Sequence, residues 1–419
     1  MTRNRSGYTL VELIVVMAVF IVVIMITSDA FKTILTQMGK ITKSEESNIE
    51  GVVGLEMFRH DLQQIGFGLP FSFQAPISYP EAAAAPANAY NDGTNGIDSG
   101  VPRAIVAGNN LAAMAGAAGD ETANILAGTD YLALKGTTLA NSETAQRWTY
   151  VQNNGGVIAA KIWENNNLST NPRDYVIVMR RTFVESTYQN QLVYNTATPT
   201  IYWAGYYTDG FADAAFDPQQ EGETFYVYGI RNADGLRMPF NRADYFVAQP
   251  TTAGRVPAFC APNTGILYKA TVNHADGNLT YIPLLDCVAD MQVVFGWDLV
   301  DGMGNDGQDG QVDTHSTPIG AGGLPTTVAG VANQATVAAA LNDPELLRRS
   351  LKYVKIYLLA QVGRRDTGYQ SPANYLLGDA VAEGFTSKTY DLSVNPAMRN
   401  YHWKVYRLMV TPKNLQANQ

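Results

Sequence analysis

Arg5-Ser6-Gly7-Tyr8-Thr9-Leu10-Val11-Glu12-Leu13 decides how the rest of this 419-residue chain is organised. Arg3 and Arg5 make a short basic segment that ends in Gly7. From Leu10 to Ile26 every residue is apolar except Glu12. A carboxylate in hydrocarbon is costly, so an acid kept inside such a run reads as functional. Tyr8 to Ile26 would span roughly 28 Å as a helix, enough to cross a bilayer core. The run passes into Thr27-Ser28-Asp29 without a small-residue cleavage site, so it is expected to stay with the mature protein. The basic segment places its own end on the cytoplasmic side and the bulk of the chain outside.

Apolar residues recur beyond the run at helical spacing: Phe31, Ile34, Leu35, Met38 and Ile41, then Val52, Val53, Met57, Phe58, Leu62 and Ile65. One helix is expected over 8–65, with Gly39, Gly51 and Gly54 as places where it could bend. Gly66, Gly68 and Pro70 are stop signals.

A basic leader, Gly7, an acid five residues later and an apolar run together resemble the class III signal of type IV pilins and pseudopilins. The resemblance implies cleavage after Gly7 by a prepilin peptidase and methylation of the new amino terminus at Tyr8. Phe is usual there, and Tyr keeps the aromatic ring. It also implies that Glu12 meets the amino terminus of a neighbouring subunit during assembly. The expected organisation is a leader at 1–7, a membrane and filament-core helix at 8–65, and a globular part at 66–419, with sub-parts of about 66–255 and 256–419. Single-pass insertion in the inner membrane, a periplasmic bulk and later display on a pilus follow from the same resemblance.

The body reads as β-rich, so the fold class expected is α+β: a long amino-terminal helix followed by a large, mostly antiparallel domain with long loop insertions. Residues 71–128 are rich in Ala, Gly, Asn and Pro and read as loops. Strands are expected at Gly128–Gly136, Trp148–Gln152, Tyr175–Arg181, Gln191–Tyr194, Phe225–Ile230, Tyr245–Ala248, Gly265–Val272, Leu279–Pro283, Leu351–Val362 and Tyr401–Pro412, each rich in β-branched or aromatic residues. The stretch up to Ala340 reads as low-complexity loop, and Asn342-Asp343-Pro344-Glu345 as a helix start. The helix exit at 60–70, the Gly128-Thr129-Asp130 strand, the stretch 284–298 and the closing strand resemble PilW-type minor pilins in particular.

Cys260 and Cys287 are the two cysteines. In an exported domain a single disulfide is expected, with two buried thiols as the alternative. Net charge is −9, and loss of Arg3 and Arg5 makes it more negative, so nucleic acid is not expected as a partner. Four scattered histidines show no metal-ligand spacing, and no hydrolase, nucleotide-binding or metalloprotease motif is present, so no enzyme is expected. The Asp/Gly/Asn stretch 298–313 is a candidate calcium loop, because glycines let carboxylates turn inward. Asp301, Asn305, Asp306, Asp309 and Asp313 are its candidate oxygens; a solvated turn is the plainer reading.

The function expected is that of a minor pilin acting in pilus assembly with other minor and major pilins, the prepilin peptidase and the inner-membrane assembly platform. A pseudopilin of a type II secretion system and a tip adhesin on a pilin anchor are the rivals. The loops at 71–128, 185–222 and 300–340 are the expected seat of any ligand.

Overall fold

The computed structural model describes residues 9–73, 77–92, 97–98, 100–114, 124–184, 187–195, 201–250 and 254–416; for 33–37, 39–50, 97–98, 184, 187–188 and 416 it describes the backbone only. Helix α1, Leu10–Gln63, runs unbroken for 54 residues, about 80 Å at the α-helical rise. Its carboxy-terminal quarter is docked on the domain, where Leu55, Phe58 and Leu62 are fully or nearly fully buried. Gly51 and Gly54 are therefore contact points. A Cβ on Gly54 would stand 2.0 Å from the Leu284 carbonyl oxygen, and one on Gly51 2.8 Å from Leu285 Cδ1. Only glycine lets the helix come this close to the strand. After Gln64, Gly66 and Gly68 take positive φ, 77° and 65°, and the Gly66 N–H donates to the Lys135 carbonyl at 3.0 Å. The chain thus leaves the helix directly onto the sheet.

The larger sheet is antiparallel. Its order runs Val328–Gly330, Thr314–Ser316, Leu279–Trp297, Gly265–Val272, Asn241–Ala248, Tyr131–Gly136, Ile105–Gly108, with Leu351–Val362 on the long strand and His402–Val410 beyond it. The 19-residue strand Leu279–Trp297 is the hub. Residues Leu279 to Val288 pair with Gly265–Val272, and Val288 to Trp297 with Leu351–Val362. Gly265–Val272 and Leu351–Val362 lie where their patterns predict. The expected hairpin return at Leu279–Pro283 instead continues as one strand through Leu284 and Cys287. Val354, Ile356, Leu358 and Ala360 are all buried in the main core.

The smaller sheet has the order Ser72–Phe73, Thr187–Leu192, Tyr175–Val184, Thr224–Arg231, Trp148–Asn154, Val157–Ala160, with Ala204–Gly205 on Tyr175–Val184. Apart from Ser72–Phe73 its strands lie between residues 148 and 231, inside the stretch of sequence that forms the larger sheet. The expected division near residue 255 therefore marks no sheet boundary: Asn241–Ala248 before it and Gly265–Val272 after it are neighbours. One core joins both sheets, with Ile177, Met179 and Ile230 of the smaller packed with Val293, Ile356 and Leu358 of the larger.

Several elements escaped the sequence reading: the strands Ile105–Gly108, in the stretch read as loops, Val157–Ala160, and Thr314–Ser316 and Val328–Gly330 in the stretch read as low-complexity loop, together with a helix and a hairpin. Helix α2, Gln334–Asn342, lies in the stretch read as low-complexity loop; Asn333 caps it by accepting from the N–H groups of Ala335 and Thr336, and Val337, Ala340 and Leu341 are buried. The hairpin Asn374–Gly378 with Thr386–Asp391 forms a sheet of its own. The expected helix start at 342–345 is present as α3, Pro344–Ser350, with Asp343 capping Leu346 N–H and Pro344 in the first turn.

Candidate functional site

The candidate site is the amino-terminal helix and the device that holds it. Thr9 is the N-cap of α1, extended at φ −76° and ψ 149°. Its hydroxyl oxygen accepts from the Glu12 N–H at 3.3 Å. The Glu12 carboxylate accepts in return from the Thr9 N–H at 2.9 Å and the Thr9 hydroxyl at 3.0 Å. This reciprocal capping box satisfies donors that a helix start leaves open, and puts negative charge at the positive end of the helix dipole. Glu12 is exposed. In the isolated chain its carboxylate serves its own helix. Gly7 and Tyr8 lie outside the described residues.

From Leu10 to Lys32 the helix is long and apolar enough to cross a membrane, and none of that stretch is buried within the chain. Leu10, Val11, Leu13 and Phe20 are each more than half exposed. Near its far end the Thr27 hydroxyl donates to the Val23 carbonyl at 2.5 Å, so it makes no demand on water in an apolar setting.

The clamp is built from buried polar groups as well as apolar ones. Asp61, 3% exposed, receives the Tyr245 hydroxyl and lies 2.5 Å from Lys269 Nζ. Phe58 stacks on Tyr245 with ring centroids 4.0 Å apart. Helix, Asn241–Ala248 and Gly265–Val272 are thereby joined by one charge pair and one ring stack. Sequence reading missed Asp61 as a clamp; its only signal was an acid on the apolar side of a docked helix.

The cysteines are joined as Cys260–Cys287, with Cα atoms 5.1 Å apart. The bridge ties the segment before Gly265–Val272 to the point where the long strand changes partner. In the chain-entropy picture a loop of this size contributes roughly 3–4 kcal/mol.

The Asp-rich loop does not gather its acids. Asp301 accepts from the N–H and side-chain amide of Asn305 and from the Met303 N–H, and these bonds, those of Asn305 first, hold its carboxyl below the usual carboxylate range. Asp309 accepts from Gln311 N–H, and Asp313 from Leu299 and Val300 N–H. The loop is anchored by Asp298, which accepts from the N–H groups of Asp309 and Gly310 and lies 3.0 Å from Lys352 Nζ. Among the described residues no group of three or more His, Cys, Asp or Glu side chains could hold a metal ion. The acids Asp301, Asp306, Asp309 and Asp313 thus form no such group; Asp301, Asp309 and Asp313 accept from backbone N–H groups of their own loop, and the Asn305 amide donates to Asp301.

The histidines stay apart. His60 is beside Asp61, His315 meets the Tyr353 hydroxyl and His402 stacks on Tyr369. His274 is half-buried between Arg237 N–H, 3.2 Å from Nδ1, and Asn241 Oδ1, 3.1 Å from Nε2.

No curated protein and no solved structure matches the chain. One family model does, described as a prokaryotic N-terminal methylation motif, over residues 2–28. The match covers the basic segment, Gly7, Tyr8, the Thr9–Glu12 capping box and the apolar run, so this amino terminus is that of a type IV pilin-like, pseudopilin-type protein, carried on a helix that can anchor it in a membrane in one pass.

Proposed function

We propose that the chain is a minor pilin of the PilW kind that acts in priming or capping a type IV pilus. The observation that carries this reading is the division of one helix: residues 51–63 are fixed to a large β domain, while among the described residues the apolar side chains of Leu10–Lys32 are exposed and belong to no core cluster. Such a helix needs lipid before assembly and other helices afterwards. The role is structural rather than catalytic. Processing by a prepilin peptidase after Gly7 exposes the amino group of Tyr8, and Glu12 exchanges its capping bonds to Thr9 for the amino terminus of a neighbouring pilin. Exchange of one set of donors for another keeps the carboxylate paired throughout, as a charge in a dry environment requires. The partners are other minor and major pilins and the inner-membrane assembly platform. The size of the domain suits a tip or initiation position better than the repeating unit.

The test is a Glu12→Ala chain expressed in its own host. It is expected to insert and be cleaved as the parent is, and to be missing from sheared filaments. Incorporation at the parent ratio removes the Glu12 mechanism. Recovery of the parent chain with secretion-system components, and not with pili, favours the pseudopilin reading.

A further inference from the structure

One face of the smaller sheet carries a row of aromatic rings whose inner members, Tyr226 and Tyr228, pack against the main core, while Trp148, Tyr150 and Trp163 towards the sheet's outer edge belong to none of the buried clusters among the described residues. On the strand Trp148–Asn154, Thr149, Val151 and Asn153 are buried, while Trp148, Tyr150 and Gln152 point the other way. The neighbouring strand Thr224–Arg231 presents Thr224, Tyr226 and Tyr228 on that same side. Register places Tyr226 opposite Tyr150 and Tyr228 opposite Trp148. Trp163, from the loop after Val157–Ala160, adds its ring 5.1 Å from Trp148 and 6.0 Å from Tyr150. Its indole N–H donates to the Trp148 carbonyl at 2.8 Å, which fixes the ring's position. Trp148 is 38% exposed, and Tyr150 and Trp163 are half-buried.

At its inner end the row meets Phe67, edge-on to Tyr228 at 5.5 Å. There a cleft of about 240 Å³ opens, lined by Phe67, Phe71, Arg181, Asn190, Tyr226 and Tyr228 among others. The two ends carry positive charge: Arg181 at the cleft, and Lys161 with its ammonium 6.0 Å from the Trp163 ring. Between them Gln152 donates to Thr224 Oγ1 at 3.1 Å. None of the residues on this side of the two strands is acidic, in a chain of net charge −9; Glu164 follows Trp163 in the loop.

Rigid rings with an apolar face and a polar tip suit a ligand that is apolar on one side and hydroxylated on the other. Pyranose rings have this character, with C–H groups across one face. A nucleic acid asks for a line of cations along its phosphates, and two cations do not supply one. A cation at each end does suit a chain with spaced carboxylates. We propose that this shelf binds an acidic polysaccharide, with sugar rings laid on Trp148, Trp163 and Tyr150 and carboxylates directed to Lys161 and Arg181. This places ligand binding on a sheet face instead of in the inserted loops, and does not depend on the assembly role.

The test uses the full chain in detergent, followed by tryptophan fluorescence and calorimetry. Polygalacturonate is the probe, dextran the neutral comparison and oligothymidylate the other polyanion. Saturable binding of polygalacturonate, tighter than of dextran, is expected. Trp163→Ala and Lys161→Glu should each weaken it by about tenfold or more, and Lys161→Glu should leave the melting temperature unchanged. Absence of saturable binding, equal binding of dextran, tighter binding of oligothymidylate, or unaltered affinity in a folded Lys161→Glu chain each overturns the proposal.

Discussion

Asp61 shows how much one buried charge can determine. It lies on the docked side of α1, 2.5 Å from Lys269 Nζ, and both are nearly sealed from solvent. Removing one partner of such a pair strands the other, which costs more than the pair is worth when intact. Asp61→Ala should destabilise the domain by roughly 3–5 kcal/mol in chemical denaturation, and a loss under 1 kcal/mol would show that Lys269 is paired elsewhere. His274 gives a prediction in pH. Burial, with Arg231 and Arg237 nearby, lowers its pKa from 6.5 to about 3. Between those values the unfolded chain binds a proton that the folded chain refuses, so this group's contribution is intact above pH 6.5 and is lost as pH falls towards about 3. His274→Gln should flatten that acid limb in melting temperatures taken across the range. An unchanged slope would mean that other groups govern it.

At the scale of elements, the contact between α1 and the strand Leu279–Trp297 is set by glycine. Gly54→Ala raises helix propensity by about 1 kcal/mol, which in an isolated helix would stabilise. Here the added methyl meets the Leu284 carbonyl at 2.0 Å, a backbone atom that cannot turn away. Net destabilisation of roughly 1–3 kcal/mol is expected from the forced separation, read as a lowered denaturation midpoint. A rise in that midpoint would show that helix and strand shift apart without loss. Capping works in the same local way at three helix starts: Thr9 with Glu12, Asn333, and Asp343 with Pro344. Only the last was read from sequence, where Asp-Pro is an explicit signal. Asn333 stood in an Ala, Thr and Val stretch whose composition masked a short helical face.

Over the whole molecule, the smaller sheet is inserted in the sequence of the larger and shares its core. A buried ionic network holds the Glu81 segment, remote in sequence, to the larger sheet alone: Glu81 receives Lys135 and also Arg242 Nη1, and Arg242 in turn reaches Asp244; the shared core is what joins the two sheets. Sheets joined in this way should unfold together. Calorimetry of the full chain in detergent is expected to give one transition for the β domain, with calorimetric and van't Hoff enthalpies in agreement. Two resolved transitions would mean that each sheet holds its own core.

The sequence alone determined the features that are local or periodic. Gly7, Tyr8 and Glu12 are read within one short motif, the helix by its 3.6-residue spacing, and Leu351–Val362 by alternation, because a few neighbouring residues are enough to specify each. The cysteine pair followed from there being only two. Tertiary structure decided what depends on distant residues meeting. It brought Gly54 against Leu284, Asp61 against Lys269, and Phe67, Trp148, Trp163 and Tyr228 into one row. It also turned the acids of the 298–313 loop to backbone N–H groups instead of towards one another. Composition could suggest that loop as a site, but only the path of the backbone sets where each carboxylate finds its hydrogen bonds.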